Sequence, residues 1–213
     1  MRSESDKYWE RCWREEEPAQ LYKYLGGYYK CESKVLDVFK EHHVTRVCDA
    51  ACGFGAFSLA FASNGFEVHS FDISETAVEI TCGGLREYGM DSSKVKVASI
   101  LDTQYPDDFF GGVIAHAVID HLTVSDAEKA LKELFRITAK EGLIALSFDN
   151  PEAEDFETAH EMVEEGTMKY KDTSREGMLF HPYGWDEIEK LLGVHEVIYK
   201  ADNTREKVVI LKK

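Results

Sequence analysis

Asp49, Asp72 and Asp102 each close a short apolar run, in "RVCDA", "VHSFDIS" and "VASILDT", and a loop of small residues, "ACGFGA", follows the first. Gly53 and Gly55 in that loop let backbone approach a ligand closely and reach φ/ψ values closed to other residues. The first N–H groups of a helix beginning at Ala56 have no intrahelical acceptor and point at whatever sits there. Asp49 can accept hydrogen bonds from a ligand cation or from the loop's own N–H groups. Asp72 stands nineteen residues after Gly53, where a carboxylate accepts from a ribose diol, and bonds to a charged group are worth about 1.5–3 kcal/mol each. Asp102 can accept from an adenine amino group. A single glycine loop or a single aspartate is commonplace, but three acids ending successive runs, with the loop after the first, predict a nucleoside-binding site.

A second group of reactive side chains lies in "AHAVIDHL", where His116, Asp120 and His121 cluster. Histidine titrates near neutral pH, so these are the candidate catalytic bases; capping the next turn or filling a pocket wall is the other role open to each. His160 and His181 fall further on, His181 before a proline that makes it a candidate loop anchor. Four tyrosines, Tyr22, Tyr24, Tyr28 and Tyr29, sit in "LYKYLGGYYK". The rings of Tyr28 and Tyr29 can cover a cationic ligand by cation–π attraction or can pack on the sheet. Trp9 and Trp13 are expected to pack. The five cysteines include no C-x-x-C pair, so no zinc or other metal site is expected. They read as reduced thiols of a soluble cytoplasmic protein.

These side chains need a scaffold, and the hydrophobic pattern supplies one. Apolar runs at Val44–Ala50, Phe66–Phe71, Val95–Ile100, Gly112–Ala117 and Leu143–Phe148 predict buried strands. Helical patterns at Ala56–Ser63, Glu75–Tyr88 and Ser125–Ala139 separate most of them. That alternation predicts an α/β fold, a doubly wound parallel sheet with both faces covered. Trp185–Leu192 reads as a last helix, and Val194–Lys200 and Lys207–Leu211 as strands joined by the turn-forming "ADNTRE". So short a link makes them antiparallel, giving seven strands, mostly parallel, finished by a C-terminal antiparallel hairpin. Upstream, Ser5–Glu17 and Glu32–His42 carry helical stripes, the first stopping before Pro18, so residues 1–43 predict a helical cover. Ser74 is the expected N-cap of the helix after the second strand. Asp149 to Glu165 holds eight acids and no Lys or Arg; with residues up to 183 it reads as an inserted acidic cap or a solvated face.

The chain has 213 residues, 44% of them hydrophobic, enough for a single domain spanning 1–213. Its 25 basic and 40 acidic residues leave a net charge of -15. An acidic surface repels phosphate backbones and anionic lipid, so neither nucleic acid nor membrane is an expected partner.

The stretch "VCDAACGFGAFS", with "VHSFDIS", "VASILDT", "GGVIAHAVIDHL", "EGLIALSFD" and the terminal hairpin, resembles the class I S-adenosylmethionine-dependent methyltransferases from Val44 to the C-terminus. The resemblance implies a Rossmann-like sheet, S-adenosylmethionine as cofactor and S-adenosylhomocysteine as product. It implies that Asp49, Ala51, Gly53 and Gly55 line the methionine end, Asp72 and Ile73 the ribose, and Leu101 and Asp102 the adenine. His116 and Ala117 would close the pocket, with Tyr28 and Tyr29 over it. Ala51 stands where the family's first glycine is usual. The acidic balance points to a small-molecule acceptor, handled by a monomer or homodimer. A protein or tRNA acceptor, and a non-catalytic binding protein, are the alternatives.

Overall fold

The computed structural model describes residues 3–164 and 166–213; Met1, Arg2 and Glu165, which fall within the expected cover and cap, lie outside the described residues. Three helices come first: α1 (Glu4–Glu15), α2 (Pro18–Leu25) and α3 (Lys34–Glu41). The alternating body follows as β1 (Arg46–Ala50), α4 (Ala56–Ser63), β2 (Glu67–Asp72), α5 (Glu75–Glu87), β3 (Val95–Val97), β4 (Phe110–Ala115), α6 (Val124–Ile137) and β5 (Thr138–Asp149). A short helix α7 (Ala153–Glu157) and strands β6 (His160–Glu164), β7 (Thr167–Tyr170) and β8 (Leu179–Phe180) come next. The chain ends with α8 (Trp185–Leu192), β9 (Glu196–Asp202) and β10 (Glu206–Lys212).

Seven strands form one sheet in the order β3-β2-β1-β4-β5-β10-β9. β1 pairs in parallel with both β2 and β4, so Asp49 stands opposite Ser70 on one side and Ile114 on the other. Strand order reverses between β1 and β4, and a crevice opens at the carboxyl ends there, where ligands bind in such sheets. β10 runs antiparallel between β5 and β9, as the terminal hairpin predicts, and sets Glu206 opposite Asp149. Asn203 makes the hairpin turn, its Oδ1 accepting from the N–H groups of Arg205 and Glu206 at 2.8 and 3.1 Å.

The central strands are buried on both faces. Val47, Ile114 and Ala145 pack against Leu36, Phe39 and Phe61 on one side; Phe71, Val113, Leu134 and Ile188 fill the other. α4 is apolar nearly all round ("AFSLAFAS") and is correspondingly buried. Ser74 caps α5 by accepting from the Ala77 N–H at 3.1 Å, as expected. Ser3 and Asp6 form a reciprocal capping box that starts α1.

Some boundaries differ from the sequence reading. Pro18 does not merely end the first helix: it is the first residue of α2, where its missing N–H costs nothing. β3 stops at Val97 rather than Ile100, because the chain folds back in a bridge between Ser99 and Asp102. β5 begins directly where α6 ends and runs for 12 residues. The acidic insertion is not a loop: β6, β7 and β8 form a second antiparallel sheet with its own small core of Met168, Tyr170 and Phe180.

Candidate active site

A hollow of about 740 Å³ opens over the carboxyl ends of β1, β2 and β4. Asp49, Ala51, Gly53, Asp72, Ile73, Leu101, His116, Ala117, His121 and Tyr28, all expected at the site, lie on its wall. Gly55, Asp102, Asp120 and Tyr29 do not line it. Gly55 instead turns the chain into α4 at φ +87°, its N–H donating to the Cys52 carbonyl at 2.8 Å. Asp102 is exposed beyond the Ser99 bridge. Tyr29 is exposed and stacks on Tyr88. Asp120 is fully buried, so it does not reach the hollow as a base.

The first loop is held from both sides. Asp49 is buried at the end of β1, where the Ser58 hydroxyl donates to its Oδ2 at 2.6 Å. Burial pushes its carboxyl up to about 6 despite that bond. Asp72 accepts from the Gly53 N–H through Oδ2 and from the Ser74 N–H through Oδ1, each at 2.9 Å, which ties the loop after β1 to the turn after β2. Burial raises its carboxyl too, with these backbone donors opposing. Ala51 takes φ +58°, a conformation that costs a non-glycine residue about 1–2 kcal/mol. The loop therefore keeps the glycine geometry with a methyl group in place. Gly53 needs its lack of a side chain: at φ +53°, a Cβ there would stand 2.9 Å from the Trp13 ring.

Trp13 reaches Gly53 because α1 crosses the mouth of the hollow, and Trp9 and Trp13 both line it. The expectation that these two rings only pack is thereby corrected; the same amphipathic stripe that seats α1 also roofs the cavity. Glu10, from the same helix, is buried against the start of α5. Its carboxylate accepts from the Ser74 hydroxyl at 2.7 Å, the Thr76 hydroxyl at 2.8 Å and the Thr76 N–H at 3.4 Å, and pairs with Arg14 at 2.9 Å. Burial would raise this acid, but the donors overcome it and hold it at about 2. Glu10, Phe54 and Phe57 were not found from the sequence. The only signal for Glu10 was its place beside the aromatic stripe.

Past β4, the Nε2 of His116 meets a Glu206 carboxylate oxygen at 3.0 Å. Burial lowers the imidazole's proton affinity, and the Glu206 partner more than restores it. The short helical turn Ile119–His121 then docks the second sheet: the Asp120 carbonyl accepts from the His181 N–H at 2.7 Å, and His121 Nδ1 donates to the Leu179 carbonyl at 2.9 Å. His181, bonded to Thr167 and Glu187, is a buried anchor. Val163, Lys169 and Leu179 of the second sheet close the far side of the hollow. Lys169 pairs with Glu4, and Arg11 donates to the Glu176 carbonyl at 2.9 Å, so α1 and the cap meet across the opening.

An open α/β sheet with a hollow of this kind at its switch point defines a ligand-binding doubly wound fold. Residues 48–146 match the family described as Methyltransferase domain. A S-adenosylmethionine-dependent methyltransferase from Methanosarcina mazei superposes with a TM-score of 0.70 at 19% identity, over 85% of this chain and 98% of that one. A protein from Pyrococcus horikoshii superposes with 0.69 at 20% identity, over 82% and 85%. The 1,6-didemethyltoxoflavin-N1-methyltransferase of Burkholderia thailandensis, solved with its acceptor and S-adenosylhomocysteine, superposes with 0.63 at 14% identity, over 84% and 76%. At these identities the solved structures bear on the fold, and the domain match bears on the activity. Residues 48–146 thus match a methyltransferase domain, and the chain shares the fold of S-adenosylmethionine-dependent methyltransferases. No helix among the described residues is long and apolar enough to cross a membrane.

Proposed function

We propose that the protein is an S-adenosylmethionine-dependent methyltransferase that transfers the methyl group to a small-molecule acceptor bound in the hollow. The observation that carries this reading is closure on two sides, by Trp9 and Trp13 of α1 and by Val163, Lys169 and Leu179 of the second sheet. What remains is a chamber within the roughly 300–1,000 Å³ of small-ligand pockets. A methyltransferase neighbour of the same fold holds a small heterocyclic acceptor together with S-adenosylhomocysteine, which agrees with such a chamber.

The residues present fit the donor. Ala51 and Gly53 offer backbone without bulk, and Asp49 offers a carboxylate to the cationic methionine end. Asp72 retains lone pairs for a ribose diol, and Ile73 and Leu101 offer apolar faces to an adenine. Bound there, S-adenosylmethionine supplies an electrophilic methyl group. The protein's share is to align the acceptor in line with it, exclude water and take up a proton where the acceptor carries one. In this reading Tyr28 and Trp13 shield the chamber, and His116 and His121 both face it. Residues 149–183 act as the cap over the acceptor.

Labelled-methyl transfer to fractionated metabolites, with and without nuclease, tests the reading. Label in the small-molecule fraction, unaffected by nuclease, supports it. Label appearing only in nucleic acid or protein would replace it.

A further inference from the structure

Beneath the floor of the hollow, three side chains converge that the methyl-transfer reading leaves without a joint role. A carboxylate oxygen of Asp120, a ring nitrogen of His121 and a carboxylate oxygen of Asp149 lie within 4.8 Å of one another. Asp120 and Asp149 are held together by the backbone, since Asp120 Oδ2 accepts from the Asp149 N–H at 2.8 Å. The other Asp120 oxygen, Oδ1, is buried without any hydrogen-bond partner among the described residues, on a side chain with 0% exposure. A buried carboxylate oxygen lacking a donor costs far more than a paired one. The Asp149 carboxylate lies close by, and among the described residues no Lys or Arg makes an ion pair to either acid.

The imidazole is prepared for the same task. Leu179 offers a carbonyl, which only accepts, so His121 Nδ1 carries the proton and the neutral ring leaves Nε2 with a free lone pair. A backbone acceptor on the far nitrogen is the usual support of a metal-bound histidine. Edge contacts with Trp9, at 4.9 Å between centroids, fix the ring plane.

We propose that Asp120, His121 and Asp149 bind a divalent transition-metal cation, such as Mn²⁺, at the floor of the hollow. One imidazole and two carboxylates suit such an ion better than Ca²⁺ or Mg²⁺, which favour all-oxygen shells. Bonds of about 2.0–2.2 Å place ligand atoms roughly 3–4 Å apart, so the side chains close on the ion as it binds. Because His121 and Asp149 also line the hollow, the open coordination positions face it, where water or a bound molecule completes the shell. The sequence conceals this site because its ligands come from two segments, after β4 and at the end of β5, with no recognisable spacing.

The test is a Mn²⁺ titration of chelator-stripped protein, followed by calorimetry and electron paramagnetic resonance. One ion per chain, with nitrogen coupling from a bound imidazole, is expected. Asp149→Asn should weaken binding at least tenfold and His121→Gln should remove the nitrogen coupling, whereas Glu157→Gln, an exposed acid of the cap, should leave both unchanged. Absence of binding up to millimolar Mn²⁺, or equal affinity in the wild type, Asp149→Asn and His121→Gln, would overturn the proposal; the latter marks diffuse attraction to an acidic surface. S-adenosylhomocysteine binding, measured on the same samples, reports separately on folding and on the donor site.

Discussion

Replacing Asp72 by alanine tests the arrangement around the donor most directly. The side chain accepts two bonds, from the Gly53 and Ser74 N–H groups, both at 2.9 Å. Through its two oxygens it ties the loop after β1 to the turn after β2. Removing it leaves two N–H groups to find other acceptors, at about 1–3 kcal/mol for each one that stays buried. Thermal unfolding should therefore fall by several degrees without loss of the fold, since the strands and the core beneath are untouched. Donor affinity loses more: at least one charge-assisted bond to the ribose, about 1.5–3 kcal/mol, and the pre-set loop besides. Calorimetric titration with S-adenosylhomocysteine should show affinity reduced by at least about tenfold, which is 1.4 kcal/mol. Asp72→Asn, which keeps one acceptor oxygen, should fall between the two proteins. Unchanged affinity in a folded Asp72→Ala protein would refute the assignment of this acid to the donor.

Three further outcomes follow from the same geometry. Asp49, pushed up to about 6 by burial, is partly protonated in mildly acidic solution; a cationic donor beside it favours the ionised form, so binding below about pH 6 should release a proton. Calorimetry in buffers of different ionisation enthalpy reads that release, and Asp49→Asn should abolish it. Glu10, held at about 2 against a usual 4.5, contributes stability that is present above about pH 4.5 and lost as pH falls toward 2. Glu10→Gln should cost at most about 3 kcal/mol at neutral pH, at 1.36 kcal/mol per pKa unit, with the gap closing across that window in denaturant titrations. Gly53→Ala places a methyl group 2.9 Å from the Trp13 ring at φ +53°. It should shift tryptophan fluorescence and weaken S-adenosylhomocysteine by about tenfold, the effect of 1–2 kcal/mol of strain; an unaltered spectrum would show that Trp13 does not rest on Gly53.

Much of the architecture could be read from one-dimensional pattern because local rules and the global fold agree there. Continuous apolar runs ending in aspartate are buried parallel strands feeding a crevice, and Ser74 both follows Asp72 and caps α5, as its type suggests. The misreadings are places where two rules compete. Proline stops one helix and starts another equally well, and α2 was lost in that ambiguity. The second sheet escaped notice because Met162 and Val163 of β6 are exposed beside acids, so no face alternates cleanly. Asp102 looked like its two predecessors, yet three residues of β3 are too few to carry it to the crevice. Trp9, Trp13 and Glu10 needed the third dimension, since a stripe that seats a helix and one that roofs a cavity have the same period.

The meeting of Glu4 with Lys169, and of Arg11 with the Glu176 carbonyl, gives the molecule a clasp made of surface charge. An exposed ion pair holds with no more than about 1 kcal/mol and is screened by salt. The doorway is therefore fastened lightly, and added salt is expected to weaken the Glu4–Lys169 half of the clasp.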